Sequence, residues 1–443
     1  MRAKNYFLVI LIFLACLLPF ILFHKSSNPV FFRWSPNYLL FIVLYLGLAI
    51  LTLFSYLTVD RQGLKFCIYL YGVYIVTFLV IDFILGTRYY YAHLFYVKHP
   101  VYDHVTVPGA QKWGLSDQRF LDGSYTVHIN SQRLRSAVET AIKKPDNYYR
   151  ILVLGDSFTF GVGVEDSQTF CYLLQEYLNK SSRDNKVKYE VLNSGVPSYV
   201  PLIEYLYLKN EGVKFNPDLV ILFLDMSDLI QTQYYLKNAV KDKKGEITRV
   251  TPQKPYHFGA VVHLVRKIKS RFYYLYKPIS IIENIIWKDV EMAFNEHDAG
   301  LFKFTLSADQ AQWKGQWQDI YAHIDLISAF CKKEGINFLV VTYPYGHQVN
   351  NYESNKIRRH FGIPENYTAP PDVFYMLERA FSEKGICVLD LLTVFKEYKG
   401  KAPLYFSADI HWTKYGHKLV AVSLFNFLKN NLKNNKLNAL KDG

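Results

Sequence analysis

The chain has 443 residues, enough for one large domain with added elements or for two domains. Half of its residues are hydrophobic and 17% are aromatic, with much of that excess before residue 92, so a membrane portion is averaged with a globular one and a purely soluble protein is excluded. The net charge of +13 points to anionic lipid or acidic glycan and, with no accompanying nucleic-acid motif, away from nucleic acid as a partner.

From the amino terminus, Tyr6 to Phe23 is an almost unbroken apolar run after Arg2 and Lys4, readable as a signal sequence or a first membrane span. Two further runs, Asn37 to Thr58 and Leu64 to Leu85, are each near the ~20 residues needed to cross a bilayer as helix, which favours three spans. Phe13-Leu14-Ala15-Cys16 faintly matches a lipoprotein cleavage site, but the apolar run continues past Cys16. Tyr89 to Tyr91 fit an interfacial aromatic belt, and Asp82 lies close enough to the end of its run to reach the interface. Arg2, Lys4, Arg61 and Lys65 on one side balance Lys25, Arg33, Arg88 and Lys98 on the other, so charge does not set the orientation. The expected organisation is a membrane region over 1–91, a linker and cap over 92–147, a catalytic domain over 148–430 with an insertion at 230–317, and a flexible tail over 431–443.

The cap contains a candidate strand at Tyr125 to Ile129, and Arg133 and Arg135 are candidates either for binding an acidic substrate group or for simple solvation. The catalytic region alternates in the manner of a doubly wound sheet, giving an α/β fold with three α/β/α layers. Strands are expected at Arg150 to Leu154, Lys188 to Leu192, Leu219 to Leu224, Asn337 to Thr342 and Ile386 to Leu389. Helices are expected at Thr169 to Asn179, Leu202 to Asn210, Ile320 to Lys333, Val373 to Glu383 and Tyr415 to Leu428, with Gly335 and Gly385 as helix terminators. In the insertion, Val261, Leu264, Val265, Ile268 and Phe272 recur at helical spacing between basic residues. That helix suits an anionic membrane surface, a lid, or packing on the domain with a solvated basic face.

Five scattered cysteines form no disulfide framework. Cys16 and Cys67 fall in apolar runs, and Cys171, Cys331 and Cys387 read as small core residues. No Cys-x-x-Cys or His-rich cluster suggests a metal, so the expected site is free of metal and cofactor.

The chemistry centres on Ile151 to Gly161, where a buried strand delivers Ser157 to the rim at which α/β sheets bind ligands. A serine hydroxyl is a poor nucleophile at neutral pH; His411 is the candidate base, with Asp409 two residues earlier to hold its tautomer. The loops after the successive strands share one sheet edge, which converges Ser157, Gly195, Ser227 and the Asp409/His411 pair. Backbone N–H groups of Ser157 and Gly195 are candidate oxyanion donors, joined by the Ser227 hydroxyl. His417 is a minor competitor, His347 after the fourth strand is a candidate for lining the pocket, Asp156 is expected to stabilise the nucleophile turn, and Asp228 to brace the third loop.

Gly155-Asp156-Ser157, Asn193-Ser194-Gly195, Asp218 to Ile221 running into Asp225-Met226-Ser227-Asp228, and Asp409-x-His411 together resemble the ordered motif blocks of the SGNH/GDSL hydrolase superfamily, from roughly Tyr148 to Leu428. The resemblance implies a flavodoxin-like SGNH fold and an acyl-serine mechanism. It also implies Asn in the third block, where this chain has Ser227; losing one good oxyanion donor costs roughly 3 kcal/mol of transition-state stabilisation. Asn193 is a candidate replacement. Asp409-Ile410-His411-Trp412-Thr413 is similar to the Asp-x-His-Trp-Thr signature of the alginate O-acetyltransferase group, which implies a cell-envelope location and an extracytoplasmic catalytic domain. The leading expectation is therefore a multi-pass membrane serine esterase removing O-acyl groups from a glycan or lipid. One alternative is an O-acyltransferase supplied by a membrane acyl-donor protein and moving an acetyl group onto a polysaccharide. Another is a catalytically impaired glycan-binding scaffold.

Overall fold

In a computed structural model of the chain, the described residues are 2–23, 36–59, 63–90, 96–109, 111–115, 124–182, 187–252, 272, 274, 275, 313–350, 352, 353, 372–406 and 410–433. They divide into two compact units, one built on residues 1–93, 112–125 and 255–288 and the other on 94–111, 126–254 and 289–443.

The first unit holds α1 (Arg2–Phe23), α2 (Pro36–Thr58) and α3 (Gly63–Tyr90). Each contains a stretch long and apolar enough to cross a membrane: Lys4–Phe23, Tyr38–Thr58 and Gly63–Leu85. Within a bilayer no hydrophobic force draws apolar helices together, so polar side chains tie them. The Tyr45 hydroxyl donates to Leu14 O, the Tyr74 hydroxyl to Leu44 O, and the Tyr71 hydroxyl to Thr52 Oγ1 at 2.7 Å. Asp82 lies in α3. It is fully buried, and its carboxylate accepts the backbone N–H groups of Tyr274 and, at 3.2 Å, Leu275. Tyr274 packs beside Tyr38 and Ile42. Three spans follow from apolar length, whereas the role of Asp82 depends on a segment almost 200 residues away, which no local pattern announces. The basic amphipathic helix expected over 261–272 lies outside the described residues except for Phe272.

The second unit opens with an antiparallel hairpin, β1 (Tyr96–His99) and β2 (Asp103–Thr106). Next in the chain come β3 (Gln111–Leu115), nearly all of it within the first unit, and β4 (Ser124–His128), whose start lies there too, the latter close to the strand expected at Tyr125. The main sheet is formed by β5 (Tyr148–Leu154), β6 (Lys188–Asn193), β7 (Leu219–Leu224), β10 (Asn337–Thr342) and β11 (Cys387–Asp390), in the order β11-β10-β7-β5-β6 with parallel pairing. This is the 2-1-3-4-5 order of a flavodoxin-like sheet, whose switch point lies between the first and third strands. Every residue of β7 is buried, as its uninterrupted Leu-Val-Ile-Leu-Phe-Leu run requires of a central parallel strand.

Helices cover both faces. α4 (Ser157–Phe160) caps β5, and α5 (Phe170–Ser181) packs against α12 (Lys414–Lys433) on one face. On the other, α8 (Lys314–Glu334) packs against α6 (Pro201–Asn210) and α7 (Asp228–Leu236), and its Tyr321 ring meets Phe381 of α10 (Asp372–Ser382) edge-on. The reversal of strand order after β6 requires this change of face, because parallel crossovers are right-handed. α9 (Gly346–Val349) and α11 (Leu392–Lys396) are short turns after β10 and β11. Two differences from expectation are local. α12 continues five residues beyond Leu428, Asn431 Nδ2 bonding Phe427 O at 2.8 Å, and a hairpin of β8 (Ala239–Lys241) and β9 (Ile247–Val250) opens the insertion. Asp242 closes that hairpin by accepting the N–H groups of Lys244 and Glu246, and Gly245 adopts φ +84°.

Candidate active site

Ser157 stands where β5 ends. The chain leaves the strand through Gly155 at φ +155°, where a Cβ would sit 2.1 Å from Thr159 Oγ1, so the tight turn requires glycine. Asp156 caps α4 through Oδ1, which accepts Phe158 N–H at 2.8 Å. Gly161, in the left-handed conformation, closes the turn by donating to Ser157 O at 2.9 Å.

Ser157 Oγ lies 2.7 Å from His411 Nε2, across 254 residues of sequence. Both side chains are half-buried, which leaves the hydroxyl open to an incoming group. The imidazole is presented by a segment folded back on itself: Phe406 N–H donates to His411 O at 3.0 Å and Thr413 N–H to Leu404 O at 2.8 Å. The Glu353 carboxylate anchors that segment by accepting the N–H groups of Leu404 and Tyr405 at 2.9 and 3.0 Å. Phe158, next to Ser157, packs its ring 4.9 Å from both His411 and the fully buried Trp412. Trp412 therefore wedges the loop against the core, and its neighbour faces the serine. Asp409 lies outside the described residues.

The other histidines are placed elsewhere. His417 is buried against Phe170 and Trp412, and its Nδ1 accepts Phe170 N–H at 3.3 Å. Burial, reinforced by Arg135 and His411, pushes its pKa down to about 3. It is a neutral core residue. His347 is buried and stacks on Tyr345 at 5.9 Å.

Gly195 sits against the turn that carries Ser157, where a Cβ would lie 2.4 Å from Phe160 N. Its N–H donates to Asn193 Oδ1 at 3.1 Å, while Asn193 Nδ2 donates to Thr159 O at 2.9 Å. Asn193 thus ties the second loop to the first, and its amide is engaged in that tie. Ser227 is buried beside Tyr345, its N–H donating to Asp225 Oδ1 at 2.9 Å. Asp228 braces this loop, its Oδ2 accepting Asp225 N–H at 3.2 Å. Arg135 is spent on structure. It is buried and donates to the carbonyls of Phe160, Gly161 and Val164 and to Asp166 Oδ1. An acidic substrate group has no access to it, because the exposed-looking sequence position is in fact the clamp on the segment after Ser157.

Beneath the loops lies a feature the sequence did not suggest. Asp156, Glu204, Asp225 and Asp228 are each buried, with Tyr343 donating to Asp156 Oδ1 at 3.4 Å and Tyr345 to Asp225 Oδ1. Burial, with repulsion from Asp225, pushes Asp156 and Glu204 well above the usual carboxylate range, and burial with repulsion from Glu204 and Asp225 does the same for Asp228. Each of the three is thereby biased towards its neutral form. Asp156 and Asp228 were visible as loop residues. Glu204 enters from the first turn of α6, and nothing in its sequence context pointed inward. Among the described residues, no three His, Cys, Asp or Glu side chains are arranged to hold a metal ion.

A family profile described as "SGNH hydrolase-like domain, acetyltransferase AlgX" matches residues 298–441, a stretch that includes His411 and excludes Ser157. The match supports homology of that stretch to the SGNH/GDSL hydrolases. No curated protein matches the chain. Among solved structures, the chain resembles a two-domain esterase active on acetylated mannans, at 13% identity and TM-score 0.32, over 67% of this chain and 50% of that one. The chain thus spans half the length of that esterase. It also resembles a protein of the G-D-S-L family from Desulfitobacterium hafniense DCB-2, at 13% identity and TM-score 0.32, over 62% of this chain and 98% of the other. The acetylxylan esterase Axe2 from Geobacillus stearothermophilus shows 12% identity and TM-score 0.33, over 63% and 93% of the two chains.

Proposed function

We propose that the protein is a membrane-bound O-acyltransferase that moves an acetyl group onto a hydroxyl of a cell-envelope polysaccharide through an acyl-serine intermediate. The observation that carries the reading is the 2.7 Å approach of His411 Nε2 to Ser157 Oγ at the switch-point edge of the sheet. Transfer is preferred to hydrolysis because the match to an acetyltransferase profile covers the same segment as Asp409-Ile410-His411-Trp412-Thr413.

In this mechanism Ser157 Oγ attacks the acyl carbon of the donor ester while His411 Nε2 takes its proton. Asp409 holds the imidazole tautomer. The tetrahedral oxyanion is received by the N–H groups of Ser157 and Gly195 and by Ser227, the Gly195 N–H turning from Asn193 Oδ1 to the developing charge. The intermediate collapses to acyl-Ser157, and His411 returns the proton to the departing donor oxygen. A sugar hydroxyl then gives its proton to His411 as its oxygen attacks the acyl carbon, and His411 passes that proton to the departing Ser157 Oγ, which releases the acetylated glycan and restores free serine and neutral imidazole. The three apolar helices support a multi-pass placement. An extracytoplasmic catalytic domain, with a membrane protein as acyl donor, suits an envelope glycan as acceptor.

The test is product analysis with the detergent-solubilised full chain, an aryl acetate donor and an added polysaccharide. Glycan acetylation is expected to rise with glycan concentration and to fall at least about 10⁴-fold in Ser157→Ala. Release of free acetate at a rate indifferent to glycan would favour the esterase reading instead.

A further inference from the structure

His411 comes from a hairpin-like fold of the chain between Leu404 and Thr413, in which Tyr405 and Trp412 form an antiparallel bridge and are both fully buried. The bonds Phe406 N–H to His411 O and Thr413 N–H to Leu404 O close that fold, and Thr413 Oγ1 donates to Pro403 O at 2.6 Å. Two ties join it to the segment that follows β10. The Tyr405 hydroxyl donates to Pro344 O, and the N–H groups of Leu404 and Tyr405 go to Glu353.

Glu353 is built for this contact. Asn350 Oδ1 accepts the N–H groups of Tyr352 and Glu353 at 3.1 and 2.9 Å, a turn that fixes the backbone from which the side chain leaves. The residue is 3% exposed, and each carboxylate oxygen takes one N–H: Oε1 that of Leu404 at 2.9 Å, Oε2 that of Tyr405 at 3.0 Å. Burial raises its carboxyl above the ordinary range, the two N–H groups act the other way, and no cation among the described residues offsets its charge.

A buried carboxylate without a cation costs stability, so stability alone would favour a neutral acceptor here. What a carboxylate adds is two acceptor oxygens on one rigid group. A glutamine of the same length offers one, and turns an N–H donor towards the other backbone N–H. Charge-assisted bonds to two successive N–H groups fix two successive peptide planes and so the direction in which the chain enters the hairpin.

We propose that Glu353 is a positioning residue for His411, holding the hairpin at the angle that brings Nε2 to Ser157 Oγ. The inference rests on the acyl-serine reading for what His411 does, and on these hydrogen bonds for how the imidazole is held. Glu353 touches neither reacting atom. Because one imidazole serves both formation and breakdown of the acyl-serine, a displaced His411 slows both steps together, which lowers kcat and leaves KM unchanged.

The test is the time course of labelling of the solubilised full chain by a fluorophosphonate, in which Ser157 Oγ bonds to phosphorus, fluoride leaves and His411 takes the hydroxyl proton. The final labelled fraction counts folded sites, whereas the rate constant reports how well His411 meets Ser157. A fold defect lowers the first and a displaced imidazole the second. In Glu353→Gln the final fraction is expected to match wild type and the rate constant to fall at least about tenfold, with kcat for an aryl acetate falling likewise at constant KM. Asn350→Ala frees the turn but keeps the carboxylate, and is expected to slow labelling at least about threefold; it decides the question if Glu353→Gln does not fold. A wild-type rate constant in Glu353→Gln, or in Asn350→Ala where it stands in, overturns the proposal even if the labelled fraction drops. Absence of labelling in wild type removes the acyl-serine reading and this inference with it. Labelling that is lost in Ser157→Ala but equally fast in Glu353→Gln removes this inference alone.

Discussion

His411 and His417 belong to one short segment and differ in everything that decides their chemistry. His411 is half-buried with Nε2 on the Ser157 hydroxyl, whereas His417 is sealed in the core and uses its Nδ1 lone pair to accept Phe170 N–H. Because the folded pKa of His417 is about 3, below an unfolded value near 6.5, the unfolded chain binds the extra proton between those values. Its contribution to stability is therefore complete above pH 6.5 and lost as pH falls towards 3. In His417→Gln, whose amide oxygen also accepts from Phe170, the fall in melting temperature across that window is expected to flatten while acyl transfer stays within about tenfold of wild type. His411→Gln is expected to lower transfer at least about 10⁴-fold with little change in melting. Melting curves and initial rates over pH 4 to 7 check both. The sequence pointed to Ser157 and His411 through a strand-end serine and an Asp-x-His pair. It did not reveal that Arg135 is a buried clamp, because nothing local distinguishes an arginine bonded to three carbonyls from a solvated one.

At the level of elements, long apolar runs were the most legible feature. β7 and β10, central and buried on both faces, occupy the expected residues, because such burial leaves a parallel strand little freedom of composition, and the ends of β5, β6 and β11 differ only slightly. The β8–β9 hairpin was less legible because its strands are short and half-exposed, although the Asp242-Lys243-Lys244-Gly245 turn was a usable signal. The tie between the first two loops was not legible at all, as it depends on contacts between Asn193, Thr159 and Gly195. Gly195→Ala tests it. The added Cβ would meet Phe160 N at 2.4 Å and the Thr159 carbonyl carbon at 2.8 Å, both backbone atoms that cannot turn aside. Overpacking of this kind costs about 1–3 kcal/mol. The variant is expected to melt several degrees lower and to lose at least about tenfold in transfer, measured by thermal melting and acetyl-glycan formation.

For the molecule as a whole, the sequence separated an apolar amino-terminal portion from an α/β portion because spans and sheet strands differ in the length of their apolar runs. It could not place Asp82, whose partners are backbone groups of Tyr274 and Leu275, and the balanced basic residues left orientation open. An acyltransferase differs from an esterase in what collects the acyl group, so the covalent intermediate is the point at which the account is most exposed. The decisive measurement is brief exposure of the solubilised full chain to an aryl acetate, followed by acid quench and mass-spectrometric mapping, with and without polysaccharide. The account expects one acetyl group on Ser157, absent in Ser157→Ala, that is lost faster when polysaccharide is present and reappears on the glycan. An acetyl group on another residue, or one on Ser157 whose loss is unaffected by glycan and yields only acetate, would contradict it.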